Sequence, residues 1–513
     1  MLDKAKLLKQ VDIAFSPAKE IEIPELFSGR EDEIVQGIYA LRSDGASLCI
    51  YGKRGVGKTS FAKQLRLIAA GYSKLIDLIS KPELFDDDLF NMPTVYFACD
   101  DTIGDINDLF RKLLSDRDAL NGICKYNDGI ILEKTRKKSS ISAKITLRIL
   151  ESEASSTTET ENIFAEIDPV SAFKSVTSEI VDSANTSSMV VVIDEFERVA
   201  KKIGLSSIIR TCPYVKFIIV GISDDVDSLI QDHNSVKRQL IEGTIEIKPM
   251  TNQMLTGIIK RAEAILEEIK FDDEVIARII AISDGYPYWV HLLGRHSCID
   301  AIEKEQNIIK EENYTQAVEK ITKHEPRYER LYRDIASSSI QDEKILKLLA
   351  LYDTEHISSD EIRKESNKNN ILSKTFEYYI KKLVTRKIIS RFQSILSFTD
   401  PFFKVFVRIR PPIFSEAKLI MRLESFFEKT ADSIQRLPVI EVDSFINDRN
   451  LSNSIEFLTS IGSASIMHDI ACKENFIFKE INIEENKKRK RKYDECPCGS
   501  GKKINKCCGI YKK

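Results

Sequence analysis

The apolar residues in the first half of the chain predict a parallel β-sheet with helices on both faces. Four short runs are apolar at almost every position, as in strands that are buried on both sides, and they lie at 47–51, 94–99, 189–193 and 215–220. A glycine-rich turn and a helical pattern over 59–70 follow the first run. A strand, a glycine turn and a helix in this order open a parallel α/β domain, which we expect over residues 1–250.

The second half of the chain is mainly helical and divides into smaller units. Residues 251–335 have a helical period throughout and are predicted to form an all-α lid. Three helices and two short apolar strands follow within 336–412, in the outline of a winged helix-turn-helix. Residues 413–480 are predicted to form a small helical domain. Within the first domain, the Lys- and then Ser/Thr/Glu-rich composition of 121–165 predicts a flexible insertion.

Composition restricts the location and the partners of the protein. At 513 residues the chain is expected to hold several domains, and 42% apolar with 30% charged residues is typical of soluble globular proteins. No run approaches the roughly 18–20 apolar residues of a membrane span, and the first residues lack the apolar core of a secretory signal. We therefore expect a cytoplasmic protein with no membrane contact. Because the net charge is only −3, any nucleic-acid surface has to be a local patch.

The glycine turn after the first strand has the pattern of a phosphate-binding loop. Residues 52–59 read Gly-Lys-Arg-Gly-Val-Gly-Lys-Thr and satisfy G-x-x-x-x-G-K-[ST], with a strand before and a helix after. Glycines let backbone N–H groups surround phosphate oxygens, and the helix N-terminus favours the anion. Lys58 would bridge the β- and γ-phosphates, and the Thr59 hydroxyl would coordinate Mg²⁺. The predicted nucleotide-binding residues of this loop are Gly52, Lys53, Arg54, Gly55, Val56, Gly57, Lys58, Thr59 and Ser60.

Two carboxylates end the third apolar run, where a phosphate loop needs a metal-holding acid on a neighbouring strand. Asp194 is predicted to hold the Mg²⁺ shell, and Glu195 to polarise the attacking water. A water-polarising acid implies hydrolysis rather than binding alone. No [NT]-K-x-D sequence, the guanine-reading element of GTPases, occurs in the chain, so we expect ATP.

These motifs resemble those of AAA+/STAND-type ATPases, and within them the archaeal-ATPase and origin-recognition-like group. The resemblance rests on the Phe-Ser-Gly-Arg-Glu box at 27–31, the phosphate loop and the Asp-Glu strand end. It implies a polar sensor after the next strand, which Ser223 matches. It also implies a basic residue that reaches the γ-phosphate of a neighbouring subunit, for which Arg238 is the candidate and Lys237 the rival. The chain is therefore expected to form a homo-oligomer.

Further features of this resemblance concern the lid and the winged helix. A Gly-x-Pro element near the adenine is matched at 285–287, which makes Pro287 a candidate nucleotide contact. The winged helix of the group suggests duplex DNA as a partner. Its third predicted helix carries basic residues beside an apolar seam, although winged helices also serve as protein-interaction modules. The basic residues are Lys374, Lys381, Lys382 and Arg386.

Four of the ten cysteines lie close together at the end of the chain and predict a zinc site. Cys496, Cys498, Cys507 and Cys508 form a C-x-C-x₈-C-C pattern, which can supply a tetrahedral set of thiolates, with a disulfide or redox pair as the alternative. The pattern is similar to the SEC-C motif, which implies docking rather than catalysis. Residues 481–513 hold eleven Lys/Arg against four Asp/Glu, which favours an acidic protein or nucleic-acid partner.

Together these features predict an ATP-driven molecular switch. ATP hydrolysis would be coupled to oligomerisation and to a DNA or protein partner. The alternative is a DNA-binding or signalling regulator that binds ATP with negligible turnover. Antiviral defence is suggested only by the analogy of combined domains.

Overall fold

The computed structural model describes residues 4–85, 89–115, 168–230, 240, 243–352, 356–368, 371 and 373–414. All of these belong to one compact unit, Met1–His468. Its centre is a five-stranded parallel sheet with the strand order β2-β3-β4-β1-β5. The strands are β1 (Leu48–Gly52), β2 (Thr94–Ala98), β3 (Met189–Asp194), β4 (Val215–Ile222) and β5 (Thr244–Glu246).

Both faces of the sheet are buried, as the unbroken apolar runs predict. In β3, Val190 and Val192 belong to one hydrophobic core, whereas Val191 and Ile193 belong to a second core on the opposite face. The four predicted strands are confirmed to within two residues at each end. The three-residue strand β5 is not predicted, because its short Thr-Ile-Glu segment carries no distinctive apolar run.

Helices cover the two faces of this sheet, and the first of them precedes strand β1 in the chain. They are α1 (Lys4–Ala14), α2 (Glu31–Arg42), α3 (Lys58–Ala69), α4 (Lys74–Leu78), α5 (Ile106–Ser115), α6 (Pro169–Ser183), α7 (Leu205–Thr211) and α8 (Val226–Ile230). Short 3₁₀ turns occur at Pro24–Leu26, Pro82–Leu84 and Phe196–Arg198. Helix α1 packs on the lid helices that follow the sheet, so the charged N-terminal lead-in is part of the folded core.

The lid region is helical, as its period predicts. It comprises α9 (Asn252–Leu266), α10 (Asp273–Ser283), α11 (Pro287–Glu303), α12 (Glu311–His324) and α13 (Pro326–Ala336). Between them a small parallel pair is formed by β6 (Lys270–Phe271) and β7 (Ile308–Ile309). Side chains near both ends of α9 accept backbone hydrogen bonds: Thr251 caps its start, and Glu263 binds the amide of Phe271 at 2.7 Å.

The last described region, here called the C-terminal module (340–414), contains the predicted helices and hairpin. Its elements are α14 (Ile340–Ala350), β8 (Ile357–Ser358), α15 (Ser359–Lys368), α16 (Ser373–Thr385), β9 (Ile389–Phe392), β10 (Ile395–Phe398) and α17 (Pro401–Ile409). The two predicted strands pair antiparallel, and β8 adds to β10. Helix α17 begins at Pro401 and is capped by Asp400, whose carboxylate accepts the amide of Phe402 at 2.9 Å.

Several predicted regions lie outside the described residues. These are the insertion at 121–165, nearly all of the predicted helical domain at 413–480, and the basic, cysteine-containing segment at 481–513. In the part of the chain that is described, no helix combines the length and the apolar character that crossing a bilayer requires.

Candidate nucleotide-binding site

The predicted phosphate loop connects the end of β1 to the start of α3, and its glycines have backbone angles that other residues avoid. The φ angles of Gly52, Gly55 and Gly57 are 144°, 79° and 96°. A Cβ atom on Gly52 would lie 2.3 Å from the carbonyl oxygen of Ile247. Glycine is therefore required at Gly52 for both its backbone angle and its close contact.

Lys58 is held inside this loop. Its side chain is almost buried, and its Nζ donates a hydrogen bond to the carbonyl oxygen of Lys53 at 2.7 Å. Burial lowers the pKa of Lys58 to about 8, against the opposing effects of the Glu197 and Asp194 carboxylates. An ammonium that is desolvated and only partly compensated is well suited to bind an anionic phosphate.

Asp194 lies at the end of β3, almost fully buried, with both carboxylate oxygens hydrogen-bonded. Its Oδ2 accepts from the Tyr96 hydroxyl at 2.8 Å, and its Oδ1 accepts from the backbone N–H of Glu195 at 2.7 Å. One sequence expectation was wrong: β3 is not the neighbour of β1, because β4 lies between them. Asp194 nevertheless acts electrostatically on Lys58, since all these strands end at the same edge of the sheet.

The structure places Glu195 at a sharp turn with an ion-pair partner. Its φ is 52°, in the left-handed region, and its carboxylate lies 2.6 Å from Nε of Arg198. Arg198 also pairs with Asp101 at 3.2 Å. The acid predicted to polarise the water thus follows β3 directly, and its carboxylate is paired with an arginine.

Glu197 is a second acid at this site that the sequence reasoning missed. The 3₁₀ turn Phe196–Arg198 brings it back to the sheet, where its Oε2 accepts from the Ile222 N–H at 3.0 Å. Of the two carboxylates that raise the pKa of Lys58, Glu197 has the larger effect. The sequence signal was the second acidic residue of Asp-Glu-Phe-Glu, separated from Glu195 by one buried aromatic residue.

Ser223 directly follows β4. This strand lies between β1, which leads into the phosphate loop, and β3, which ends at Asp194. The Ser223 hydroxyl donates to the carbonyl oxygen of Asp225 at 2.7 Å and so stabilises the turn into α8. The hydrogen bonds described for Ser223 are both with Asp225, and its role as a sensor stays a prediction. Arg238 and Lys237 lie outside the described residues.

A cavity of about 270 Å³ lies beside the phosphate loop. Its walls come from the N-terminal segment 16–21, the box region 26–30, loop residues 55–60, the lid, and α17. Pro287 and Tyr288 line it from the lid, and a contact of Pro287 with the nucleotide stays a prediction. The contribution of the N-terminal segment was missed, because nothing in its charged sequence indicates a wall of a cavity.

Hydrogen bonds from α3 fix this N-terminal segment over the loop. The Ser60 hydroxyl accepts from the Ile21 N–H at 2.9 Å, so this predicted nucleotide contact also holds the cavity wall. The buried Gln64 amide donates to the carbonyl oxygens of Ile21 and Glu22 at 2.9 and 3.0 Å. One helix therefore carries both Lys58, the predicted phosphate ligand, and the supports of the cavity wall.

The Phe-Ser-Gly-Arg-Glu box braces the phosphate loop. Arg30 is buried, and its Nη2 donates to the carbonyl oxygens of Val56 and Lys248 at 2.9 and 2.7 Å. Ser28 donates from its hydroxyl to the carbonyl oxygen of Met254 at 2.8 Å. The box thus connects the loop with the segment that leads into the lid, which gives it a structural reason to accompany a phosphate loop.

Phe402, at the start of α17, touches the phosphate loop from the C-terminal module. A Cβ atom on Gly55 would lie 2.3 Å from two atoms of its ring. The same ring packs against lid aromatics, with ring-centroid distances of 5.0 Å to Tyr288 and 5.9 Å to both Tyr286 and Trp289. The C-terminal module therefore contributes a side chain to the cavity.

Asp284 fixes the rest of α17 to the lid. Its two carboxylate oxygens pair with Lys404 at 2.8 Å and with Arg408 at 2.9 Å, and all three side chains are largely buried. Asp284 has a left-handed backbone, with φ of 53°, and it immediately precedes the Gly-x-Pro element. The lid turn that lines the cavity and the last described helix are thus joined by a buried charge network.

Asp194, at the end of β3, and Thr59, at the start of α3, could together hold a bound Mg²⁺. Asp194 keeps carboxylate lone pairs beyond its two accepted hydrogen bonds, and Thr59 supplies a hydroxyl at the start of α3. Among the described residues there is no cluster of three or more His, Cys, Asp or Glu that could hold a metal, but a phosphate-loop Mg²⁺ is held largely by nucleotide and water oxygens. The predicted zinc ligands Cys496, Cys498, Cys507 and Cys508 lie outside the described residues.

The parallel sheet, the glycine loop after β1 and the acidic end of β3 define an α/β P-loop NTPase fold. No protein-family model matches the chain, and no curated protein sequence matches it. Among solved structures it is similar to a Walker-type ATPase of Pyrococcus abyssi, at 14% identity and a TM-score of 0.42, over 76% of this chain and 99% of the other.

Two further solved structures are similar over comparable lengths. Cdc6p of Pyrobaculum aerophilum has 14% identity and a TM-score of 0.38, over 83% of this chain and 99% of its own. The RuvB Holliday junction branch migration motor of Thermotoga maritima has 14% identity and a TM-score of 0.33, over 74% and 94%. At identities this low, a likeness carries no information about function.

Proposed function

We propose that this protein is an ATP-driven molecular switch whose nucleotide site controls the position of its C-terminal module. The observation that carries this proposal is the contact of Phe402 with Gly55. A ring from the last module lies on the loop that would hold the phosphates. An occupant of this loop meets that ring directly, so binding energy can be transmitted to the module without an intermediate element.

The chemistry proposed for the site is ATP hydrolysis. Lys58 would bind the β- and γ-phosphates, and Thr59 and Asp194 would hold Mg²⁺, which supplies Lewis-acid stabilisation of the phosphoryl oxygens when bound. Glu195 would orient and polarise the attacking water. Adenine is favoured over guanine because the chain has no guanine-reading sequence, and the cavity beside Pro287 is the proposed place for the base.

The partner of the C-terminal module is proposed to be duplex DNA or another protein. Two of the four basic residues predicted for the recognition helix are engaged inside the folded chain, one by the C-terminal module and one by the lid helix α13. Lys382 pairs with the buried Asp342 at 2.9 Å, and Arg386 donates to the carbonyl oxygen of Asp334 at 2.7 Å. Lys381 is exposed and suits a phosphate contact, whereas the exposed rings of Tyr378 and Phe392 suit a protein surface.

Three other parts of the proposal rest on sequence alone. Subunit association with Arg238 acting in trans, a zinc-bound tail that docks an acidic partner, and a role in antiviral defence all follow from motifs outside the described residues or from the family resemblance. They extend the switch proposal and can fail without affecting it.

The second candidate function is an ATP-binding regulator with negligible hydrolysis. The specific observation in its favour is the 2.6 Å ion pair between Glu195 and Arg198. A carboxylate that is held by a guanidinium has fewer lone pairs left to orient a water molecule. In this version ATP binding would move the C-terminal module, and ATP would later dissociate without having been hydrolysed.

The deciding experiment measures ATP binding, phosphate release and module movement in the same preparations. We expect a fluorescent ATP analogue to bind, phosphate to be released, and hydrogen exchange of Pro401–Ile409 to change with ATP. Lys58→Ala should abolish all three. Binding and module movement without phosphate release would favour the regulator, whereas binding without any change in Pro401–Ile409 would contradict both versions.

A further inference from the structure

Tyr96 lies beside the acidic end of β3 and contacts the residue that would hold the metal. It belongs to β2, two residues before Ala98, which pairs in register with Asp194. From this position the Tyr96 hydroxyl donates to Asp194 Oδ2 at 2.8 Å. Its side chain is partly buried, and burial together with the Asp194 carboxylate raises its pKa well above the usual range.

The ring of Tyr96 is itself held in place by two cations from α3. Lys63 Nζ lies 5.0 Å from the ring centroid, and the guanidinium carbon of the buried Arg66 lies 5.9 Å from it. Cations over an aromatic ring are attracted to its face and restrict its orientation. Since α3 begins at Lys58, the helix that carries the phosphate-binding lysine also fixes the ring that reaches Asp194.

Lys63 extends this arrangement to the wall of the cavity. Its ammonium pairs with Glu22 at 2.5 Å and with Glu20 at 3.2 Å, and Glu20 lines the cavity. A continuous set of contacts therefore runs from the N-terminal segment through Lys63 and Tyr96 to Asp194. One end of this set, Glu20, lines the cavity proposed for the base, and the other end, Asp194, is the residue proposed to hold the metal.

We propose that Tyr96 is a positioning residue that orients the Asp194 carboxylate toward the Mg²⁺ bound with the nucleotide. The inference rests on the function proposed above. The carboxylate at a strand end can rotate about its Cβ–Cγ bond, and two hydrogen bonds, one to each oxygen, restrict that rotation. Each oxygen then accepts one hydrogen bond and keeps one lone-pair direction for a cation. Outer donors of this kind fix the direction and the basicity of a metal ligand.

Tyr96→Phe is the direct test, because it removes the hydroxyl and leaves the ring. We expect the Mg²⁺ concentration that half-saturates the enhancement of ATP-analogue binding to rise about tenfold. Binding of the analogue in EDTA should be unchanged, since Lys58 and the loop are intact. The matched control is Tyr214→Phe, whose hydroxyl donates to the carbonyl oxygen of Lys174 at 2.8 Å, and which should leave both measurements unchanged.

Two further variants separate positioning from a general effect on the fold. In an Asp194→Asn background, Tyr96→Phe should add no further increase in the Mg²⁺ requirement, because the residue acts through Asp194. If Tyr96→Phe unfolds, Lys63→Met gives the test, since it removes the nearer of the two cations over the ring. A raised Mg²⁺ requirement is expected there too.

Three results would overturn the inference. They are an unchanged Mg²⁺ requirement in the folded variant, an equal loss of binding with and without Mg²⁺, and an additional effect of Tyr96→Phe on Asp194→Asn. A wild-type protein that binds no ATP analogue would overturn the proposed function together with this inference. If the wild type binds the ATP analogue in a Mg²⁺-dependent manner and Tyr96→Phe has the same Mg²⁺ requirement, this inference alone would be overturned.

Discussion

The Glu197 carboxylate accepts a hydrogen bond from the backbone N–H of Ile222 at 3.0 Å and thereby joins the turn after β3 to the end of β4. This contact places a second acid near Lys58, in addition to Asp194. The carboxylate of Glu195, by contrast, is directed to Arg198. The two glutamates therefore differ in partner and in charge environment, and substitutions can separate their roles.

Glu195→Gln should retain ATP binding and reduce phosphate release by at least a hundredfold if Glu195 polarises the water. Glu197→Gln keeps an oxygen that can accept from Ile222 but loses the charge near Lys58, so it should bind ATP more tightly and change turnover only a fewfold. Phosphate release and ATP-analogue titrations measure both effects. Normal hydrolysis by Glu195→Gln, with loss in Glu197→Gln, would reverse the assignment.

The depressed pKa of Lys58 predicts uptake of a proton on ATP binding. Burial lowers this pKa to about 8 from a normal value near 10.5, and phosphate charges should raise it again. Because the folded-state pKa is lower than that of the unfolded chain, this group disfavours folding below pH 8 and the penalty decreases as pH rises from about 8 toward 10.5. ATP affinity should fall over the same range, because the neutral amine no longer attracts phosphate.

Calorimetry in buffers of different ionisation enthalpy, at pH 8 to 9, measures this proton uptake directly. Lys58→Arg is the control, since its guanidinium is charged throughout and should take up no proton at this site. Equal proton uptake in wild type and Lys58→Arg would show that another group titrates.

Removal of the Phe402 ring should strengthen ATP binding. The Phe402 ring lies against Gly55 in the loop that would hold the phosphates, so a nucleotide would have to displace it, and Phe402→Ala should bind ATP about tenfold more tightly. ATP should also cease to alter hydrogen exchange in Pro401–Ile409. Phe392→Ala, which removes an exposed ring of the same module, should behave as wild type. Weaker binding by Phe402→Ala would instead make Phe402 a direct ligand contact.

Arg30→Met should destabilise the protein and loosen the phosphate loop. It leaves the carbonyl oxygens of Val56 and Lys248 without their buried donor, which we expect to lower the free energy of unfolding by about 2 kcal/mol. ATP affinity should fall as well, because the loop loses its brace. Denaturant unfolding and ATP-analogue titration measure the two effects. The exposed Arg330→Met serves as the control, and a similar loss there would contradict a specific role of Arg30.

The cysteine-rich tail should bind one zinc ion per chain. Metal analysis of purified protein tests this, and Cys507→Ser should release the metal because a tetrahedral thiolate set needs all four ligands. Deletion of 481–513 should remove the zinc and leave ATPase activity nearly unchanged, while binding to an acidic partner should weaken and lose its salt dependence. Zinc retained after the deletion would place the metal elsewhere in the chain.

Local motifs of this protein could be predicted from sequence, because their physical requirements are local. The loop from Gly52 to Thr59 needs glycines at fixed spacing, and Asp194 ends a strand that is otherwise apolar. Both can therefore be recognised from sequence without knowledge of the tertiary structure. Tyr96 and Phe402 could not be assigned in this way. Tyr96 reaches Asp194 across 98 positions of the sequence, and only the pairing of β2 with β3 brings them together.

The strand order shows the same limit. A metal-holding acid can be predicted at the end of a strand, but the sequence does not state that β4 lies between that strand and β1. The N-terminal segment is a further example, since its role depends on Ser60 and Gln64 holding Ile21 about forty positions away. Contacts made by backbone groups leave no residue-type signal at the contacted position.

The carboxylate of Asp284, which binds both Lys404 and Arg408, has a mechanical consequence. It lies in the turn between α10 and α11 that leads to Pro287, so the cavity wall and α17 share one anchor. A rotation of this turn by a few degrees would swing the C-terminal module as a lever arm, and the displacement would increase with distance from the anchor.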